Sequence, residues 1–250
     1  MDTITHALSG ALLARAVTAR PTQAPSANEL RWFGPRVPVW QAMTVGLVAA
    51  AFPDSDAVLK YVSDLAYLRG HRGVTHSVTM LPLWALLLGG ILALLFRRRD
   101  AFKRYTWLAG ASIAIHIAGD WITQFGTMLL APFSDARFGL GSVFIIDLVL
   151  SGIVLAGLLA SLLFRASRVP ATAALALLPV WVGVTMLGKS EATAFGQQYA
   201  RANNLVNAKV DAAPRPGSPF NWTVLVETEN SYRIAHINTR RSEALTITEG

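Results

Sequence analysis

The chain has 250 residues, of which 53% are hydrophobic and only 15% are charged, and its mean hydropathy is +0.42. In soluble domains about a quarter of the residues are charged, so this composition argues against a soluble protein and for several membrane spans. The absence of cysteine excludes disulfides and thiolate metal sites. The net charge of +7 suits the basic cytoplasmic loops of a membrane protein, and nucleic acid is not expected as a partner.

Six apolar segments along the chain predict helices. Three of them are each long enough to cross a bilayer, which takes about 20 residues; they are Gly73–Phe96, Val143–Phe164 and Val169–Gly188. The other three are shorter and rich in small residues, which suits close contact between helices in lipid; they are Thr3–Ala14, Val37–Pro53 and Tyr105–Gly119. No basic region precedes the first segment, so a cleavable signal peptide is not predicted.

Basic residues cluster in three of the loops between these segments. They are Arg15, Arg20, Arg31 and Arg36 in the first loop, Arg97, Arg98, Arg99, Lys103 and Arg104 in the second, and Arg165 and Arg168 in the third. If all six segments cross the membrane, the three loops share one side, and the positive-inside rule places that side in the cytoplasm. The N-terminus and everything after Gly188 are then predicted to face the periplasm of a bacterial inner membrane.

The composition changes after Gly188. Ser190–Val210 is polar and predicts a surface helix, and the prolines at positions 214–219 end it. Trp222–Glu227 and Tyr232–Asn238 predict a hairpin, and Ala244–Thr248 can add a third strand. The predicted fold class is therefore mainly α: a polytopic membrane helical bundle over residues 1–188, which carries the metal site, and a small extramembrane α+β cap over residues 189–250.

Histidine and aspartate are few, and most of them fall at the same ends of the predicted segments. A topology drawn from arginine and lysine alone places seven of these residues in the outer layer; they are His6, Asp54, Asp56, His71, His76, His116 and Asp120. Ionisable groups inside membranes are unfavourable and usually functional. Since His116 and Asp120 are four residues apart, they share one helical face and can bind one ion. The convergence predicts a metal site.

The stretch HRGVTHS, residues 71–77, lies at the start of the third segment. Gly73 breaks the backbone, and Thr75 or Ser77 can cap the following helix. We expect the loop to present His71 and the first helical turn to present His76. Arg72, if it points inward, would neutralise a developing phosphate oxyanion.

The ligand types indicate which ions this site would hold. Four histidines and three carboxylates exceed one tetrahedral site and match a site for two ions. Nitrogen and oxygen ligands without sulfur favour Zn²⁺, with Mn²⁺ or Fe²⁺ as alternatives. Metal-bound hydroxide is the expected nucleophile, with Asp120 or Asp54 as the general base when it is not a ligand.

Each residue also has a structural interpretation when it is taken alone. A single histidine in a membrane, such as His6, is often only hydrogen-bonded, and Asp54 could be a turn residue. Asp147 could favour the positive N-terminus of a helix or belong to the metal site. Arg72 could be an interfacial cation, and His236 in the predicted hairpin is expected to be a surface residue. The shared layer favours the functional interpretation for the seven residues.

Five stretches of the chain together resemble a family of bacterial proteins. They are MDTITHALSG at the N-terminus, PDSD at 53–56, HRGVTHS at 71–77, HIAGDWITQFGT at 116–127 and FIID at 144–147. The family is that of the LexA-regulated, inner-membrane metal-dependent hydrolases, and the resemblance implies the same seven residues as motif positions. It is similar in motif style to zinc phospholipases C and single-strand nucleases. Their N-terminal tryptophan and HxxxHxxE element are not evident here, so their trinuclear site is not carried over.

Three functions remain open from the sequence. The first is a membrane-bound metal-dependent hydrolase, a phosphoesterase or phospholipase-like enzyme whose partners are membrane lipids and whose substrate is a lipid or lipid-linked phosphoester. The second is a metal-ion or proton transporter that uses the same residues, although transporters place their sites near the midplane and often contain repeats. The third is a sensor or scaffold with a structural metal.

Overall fold

The computed structural model describes residues 1–18, 26–241 and 246–249. Within them lie eight α-helices: α1 Thr3–Val17, α2 Ala27–Phe33, α3 Val39–Ala51, α4 Asp64–Gly70, α5 Leu81–Leu95, α6 Phe102–Trp121, α7 Leu148–Leu163 and α8 Val169–Ala202. Four strands follow: β1 Lys209–Pro214, β2 Asn221–Glu227, β3 Tyr232–Asn238 and β4 Thr246–Glu249. A 3-10 helix, Phe52–Tyr61, continues directly from α3, and a short one, Val74–His76, precedes α5.

All six predicted apolar segments form helices, which are α1, α3, α5, α6, α7 and α8. The candidate membrane spans, however, are not all the three predicted ones, since Val143–Phe164 contains only the shorter helix α7. In the described part of the chain, two helical stretches are long and apolar enough to cross a bilayer, Val39–Tyr61 and Val169–Ala202. A third span results if Asp64–His76 and α5, which are bent by 77°, form one broken span.

The length of an apolar run in the sequence does not give the length of a helix, because the run can include turns. Residues 73–80 of the third segment form turns and the short 3-10 helix, so α5 has only 15 residues, and α1 has the same length. A helix rises about 1.5 Å per residue, so 15 residues cover only about 22 Å of a core about 30 Å thick. The orientation drawn from six crossings stays a prediction, and Arg20, one residue used for it, lies outside the described residues.

Helix α1 lies in the middle of the bundle because it contributes to two apolar cores. One core joins α1 to α3, α5 and α6 through buried residues such as Val45, Leu92 and Ile113. The other joins α1 to α7 and α8 through residues such as Leu12 and Val154. The side chains on α1, among them His6, are therefore enclosed by neighbouring helices.

Helices α1 and α3 cross at two glycines. A Cβ atom added to Gly10 would collide with the backbone carbonyl oxygen of Gly46, and one added to Gly46 would collide with that of Gly10. This confirms the expectation that small residues in these segments permit close helix contact. The crossing brings the first turns of α1 close to the chain that follows α3.

The C-terminal part differs from the prediction in one strand. The predicted helix over Ser190–Val210 ends at Ala202 as the last part of α8, and Lys209–Pro214 forms β1 instead. The strands form one antiparallel sheet in the order β1-β2-β3-β4, which includes the predicted hairpin of β2 and β3. Of the predicted third strand Ala244–Thr248, residues 244–245 lie outside the described residues and the rest belongs to β4.

The C-terminal sheet packs on α8, whose N-terminal part belongs to the helical bundle. Trp222 is completely buried, and its indole donates a hydrogen bond of 3.0 Å to the carbonyl of Pro219 beside Gly188 of α8. Gly196 faces Val210 and Val224 of the sheet. Helix α8 therefore continues through the domain boundary predicted at residue 188.

We predict that Gly46→Ala lowers the free energy of unfolding by about 1–3 kcal/mol, because the added methyl group meets the α1 backbone, which cannot move aside. Denaturant unfolding of the purified protein in neutral detergent measures this. The matched control is Gly152→Ala in α7, where an added Cβ has no atom within 4 Å. That variant should be neutral or slightly stabilising, as alanine favours helices. Equal effects at both positions would contradict the close crossing.

Candidate metal centre

Three segments of the chain converge to form a polar centre at one end of the bundle. Pro53 lies in the first turn of the 3-10 helix that follows α3, and this 3-10 helix carries Asp54. The short 3-10 helix before α5 carries His76. His116 and Asp120 lie one turn apart on α6, as their spacing predicted. The histidines and Asp120 have no exposed surface, and the side chain of Asp54 is 12% exposed.

These four residues can each offer one ligand atom, and the four atoms lie within 4.8 Å of one another. His76 Nε2 is 3.2 Å from Asp120 Oδ2 and 3.5 Å from Asp54 Oδ1. His116 Nε2 is 3.4 Å from Asp120 Oδ2 and 3.7 Å from Asp54 Oδ1. The edge of a tetrahedron of ligands around Zn²⁺ at 2.0–2.2 Å is about 3.4 Å. These four separations are in the range expected for atoms that bind the same ion.

The two histidine rings are held in the form that leaves Nε2 free to bind a metal. Nδ1 of His116 is 2.6 Å from the carbonyl oxygen of Ala50, which can only accept, so Nδ1 carries the proton. Nδ1 of His76 is 3.3 Å from the carboxylate of Asp56 and 3.0 Å from the hydroxyl of Thr75. Both Nε2 atoms are buried without a hydrogen bond. Carbonyl or carboxylate partners behind a histidine are typical of metal sites.

The two oxygens of Asp120 have different environments. Oδ1 accepts hydrogen bonds from His6 Nε2 at 3.0 Å and from the amino group of Met1 at 2.5 Å, and it forms an ion pair with Arg72 Nη2 at 2.9 Å. Oδ2 faces the Nε2 atoms of His76 and His116 and has no hydrogen bond. The donors on Oδ1 orient the carboxylate so that Oδ2 points at the centre.

Asp56 acts on the HRGVTHS stretch rather than on the centre itself. Its carboxylate accepts from Nδ1 of His71 at 2.8 Å, from the backbone N–H of Arg72 at 2.9 Å and from the hydroxyl of Thr75 at 3.2 Å. Through these contacts and that with His76, one buried carboxylate fixes the path of the whole loop. Asp56 was predicted to be a ligand, and in this arrangement it occupies a supporting position, as Asp residues two apart in an extended turn can do.

Arg72 points inward, which was the condition for its predicted role. Its backbone has φ +58°, an uncommon conformation for a residue other than glycine. The guanidinium reaches Asp120 and donates from Nη1 to the hydroxyl of Thr123 at 2.7 Å. Its Nε is buried without a hydrogen bond. The interfacial-cation interpretation of Arg72 is therefore wrong, because the side chain is only 4% exposed.

His6 and His71, the other two predicted ligands, lie beside the centre. The ring of His6 stacks on that of His116 with centroids 3.7 Å apart and is fully buried, while its Nδ1 has no hydrogen bond. His71 packs between Tyr67 and Phe125 with its Nδ1 on Asp56. Among the described residues, four of the predicted seven form the convergent ligand group. Binding of two ions stays a prediction.

The structure decides between the two predicted roles of Asp147 and adds two residues to the site. Asp147 caps α7 by accepting from the N–H of Leu150 at 2.8 Å and also accepts from the indole of Trp181 at 3.1 Å, so the helix-capping alternative is the one observed. The sequence reasoning missed the Met1 amino group and Thr123. The position of Met1, five residues before His6 and next to the start of α1, was the available signal for the first. Thr123 lies three residues past Asp120.

Comparison with known proteins gives one curated relative. The chain is 29% identical over 143 residues to YfhP of Bacillus subtilis (strain 168), which is described as uncharacterized. The match covers 57% of this chain and 41% of YfhP, so it spans less than half of the relative's length. No solved structure matches the chain. The family described as YdjM inner membrane protein matches residues 1–192, which include α1 to α7 and all residues of the centre, and the chain therefore belongs to this family.

Proposed function

We propose that this protein is a metal-dependent hydrolase of the inner membrane that cleaves a lipid or lipid-linked phosphoester. The observation that carries the proposal is the convergence of four ligand atoms within 4.8 Å beside a buried guanidinium, with Nε2 of His76, Nε2 of His116 and Oδ2 of Asp120 buried without hydrogen bonds. A sensor with a structural metal would not need the guanidinium there. A hydrolase of phosphoesters needs a cation that binds the phosphate oxygens.

Asp54, His76, His116 and Asp120 would hold the ion, which we propose to be Zn²⁺, with Mn²⁺ or Fe²⁺ as alternatives for the two-nitrogen, two-oxygen set. A bound divalent ion supplies Lewis-acid polarisation and lowers the pKa of water. A second ion nearby would use His6 or His71, whose rings adjoin the first set.

The residues around the ion have separate tasks. Arg72 binds a phosphate oxygen through its guanidinium, whose planar donors match that group. Asp54 is the better general base of the two carboxylates, because Oδ1 faces the histidines and can bind the ion while Oδ2 has no hydrogen bond and remains able to take a proton. Asp120 accepts two hydrogen bonds and an ion pair on Oδ1 and directs Oδ2 at the ion, so it is poorly placed to take a proton.

The surface beside the centre supports a lipid substrate. The chain between Asp54 and His71 carries apolar side chains that face outward, with exposures of 92% for Tyr61, 75% for Val62 and 56% for Leu65. Exposed apolar patches next to a polar site are typical of contact with a membrane or an apolar ligand. The basic loops lie at the opposite ends of the helices, so the positive-inside rule favours a periplasmic centre and cap.

We predict that His76→Ala and His116→Ala each abolish stoichiometric metal binding and hydrolysis, because each removes a ligand whose ring no neighbour can replace. Elemental analysis of the purified protein and assays on phospholipids and isoprenoid phosphates measure both. His236→Ala, which removes a histidine that contacts Thr223 in the sheet, is the matched control and should retain both. Metal uptake into proteoliposomes without turnover would support a transporter, and equal hydrolysis in all variants would end the proposal.

We predict that Asp56→Asn weakens metal affinity by about 10–100-fold, because it disturbs the carboxylate that orients His76 and the HRGVTHS loop. Competition with a chelator of known affinity measures the dissociation constant. Asp135→Asn, in an exposed loop, makes the same chemical change away from the centre and should leave affinity unchanged. Unchanged affinity in Asp56→Asn would remove Asp56 from its supporting position.

We predict that Arg72→Lys retains the metal but lowers kcat by about 100-fold, as for loss of one donor to a developing oxyanion. Lysine keeps the positive charge near Asp120 and lacks the planar pair of donors. Metal content and kcat are measured on the same preparation. Full activity with normal metal content would show that the guanidinium is structural.

A further inference from the structure

A second polar cavity, of about 510 Å³, lies at the end of the bundle opposite the metal centre. Its wall includes Arg104 of α6, and Asp120 of the centre lies 16 residues further along the same helix. At a rise of about 1.5 Å per residue, Arg104 and Asp120 are about 24 Å apart along the helix. Arg36, also in the wall, precedes α3, whereas Asp54 follows it. The cavity is therefore separate from the proposed hydrolase site.

The charged part of this cavity has an excess of positive charge. Three guanidiniums, those of Arg36, Arg104 and Arg168, and one carboxylate, that of Glu29, line it. Glu29 accepts from Arg36 at 3.0 and 2.8 Å and from Arg104 at 2.8 Å, and Arg104 also donates to the carbonyl of Gly34 at 3.0 Å. The hydrogen bonds from Arg36 lower the pKa of Glu29 to about 2, so this carboxylate stays ionised.

These ion pairs hold the guanidiniums of Arg36 and Arg104 in fixed positions on the wall, and the three arginines carry two more positive charges than Glu29 offsets. Arginine donors match a phosphate because their planar geometry allows two parallel hydrogen bonds. Arg168 lies at the N-terminal end of α8, is exposed, and supplies the third guanidinium of the cavity wall.

The remaining wall of the cavity is apolar and follows one face of α6. Arg104, Trp107 and Ala111 are spaced three and four residues apart, so they lie in a line along the helix. The Trp107 ring is 56% exposed and lies 5.5 Å from the ring of Phe33. The line leads from the guanidiniums toward the middle of the bundle, so a charged group and an apolar chain can bind side by side.

We propose that this cavity binds the phosphate group of an anionic phospholipid, with an acyl chain against Trp107 and Ala111. Basic pockets between helices on the cytoplasmic side of membrane proteins bind anionic headgroups, and the arginine-rich end is the one that the positive-inside rule places there. Neither the metal nor the hydrolase activity is needed for this binding.

The test is calorimetric titration of the full-length protein in neutral detergent with three probes: dihexanoyl phosphatidylglycerol, dihexanoyl phosphatidylcholine and inorganic phosphate. We expect phosphatidylglycerol to bind saturably, and the other two at least about tenfold more weakly, since each lacks either the net charge or the chains. Inorganic phosphate that binds as tightly as the lipid would show a site for a soluble phosphate compound and overturn the lipid assignment.

Two variants locate the binding. Arg168→Gln should weaken phosphatidylglycerol binding by about tenfold through loss of a charge-assisted hydrogen bond, and Ala111→Phe should weaken it by filling the apolar part of the cavity. Arg165→Gln is the matched control, an exposed arginine in the same loop that does not line the cavity. Equal binding in all three variants, or no preference for phosphatidylglycerol over phosphatidylcholine in the wild type, would overturn the proposal.

Discussion

The arrangement of this protein depends on the buried carboxylate of Asp120. Because its side chain has no exposed surface, each of its oxygens needs a partner that replaces water. Oδ1 has three donors, and they come from three places: the N-terminus, α1 and the HRGVTHS loop. This one oxygen therefore links α6 to α1 and to the loop before α5. The close crossing of Gly10 and Gly46 then brings α3, and with it Asp54, to the same end of the bundle.

The other oxygen of Asp120 belongs to a group of buried polar atoms that have no hydrogen bond. Asp120 Oδ2, Asp54 Oδ2 and the Nε2 atoms of His76 and His116 are all buried without partners. A buried polar atom without a hydrogen bond costs about 1–3 kcal/mol, so four of them together would be strongly destabilising. In the neutral rings, the backbone carbonyl behind His116 and the carboxylate behind His76 hold the proton on Nδ1 and leave Nε2 as an acceptor. A metal ion bound by Asp54, His76, His116 and Asp120 would supply the missing partner of both Nε2 atoms and of Asp120 Oδ2.

The sequence predicted which residues meet but not how each one contributes. The positions of the basic loops predicted that the seven residues lie in one layer. The spacing of His116 and Asp120 predicted that these two share one face of a helix. Asp54 and Asp56 are separated by one residue, yet one faces the centre and the other faces His71 and Arg72. This division depends on the local turn after Pro53, which residue types do not encode. The sequence likewise placed the helices but not their lengths, because the apolar residues at 73–80, which precede α5, cannot be distinguished from helix by hydropathy.

The two or three candidate spans in the described part of the chain agree with the high hydropathy once the position of each helix is considered. Helices α1 and α6 carry the ionisable groups, and His6, His116 and Asp120 on them are completely buried by the surrounding helices. Leucines on the outer helices are exposed instead, such as Leu94 on α5, Leu162 on α7 and Leu187 on α8. Lipid would contact these outer side chains, whereas α1 and α6 pack mainly against neighbouring helices and the polar centre. A short helix such as α1 can thus lie within the bundle without crossing the bilayer, because protein rather than lipid satisfies its polar groups.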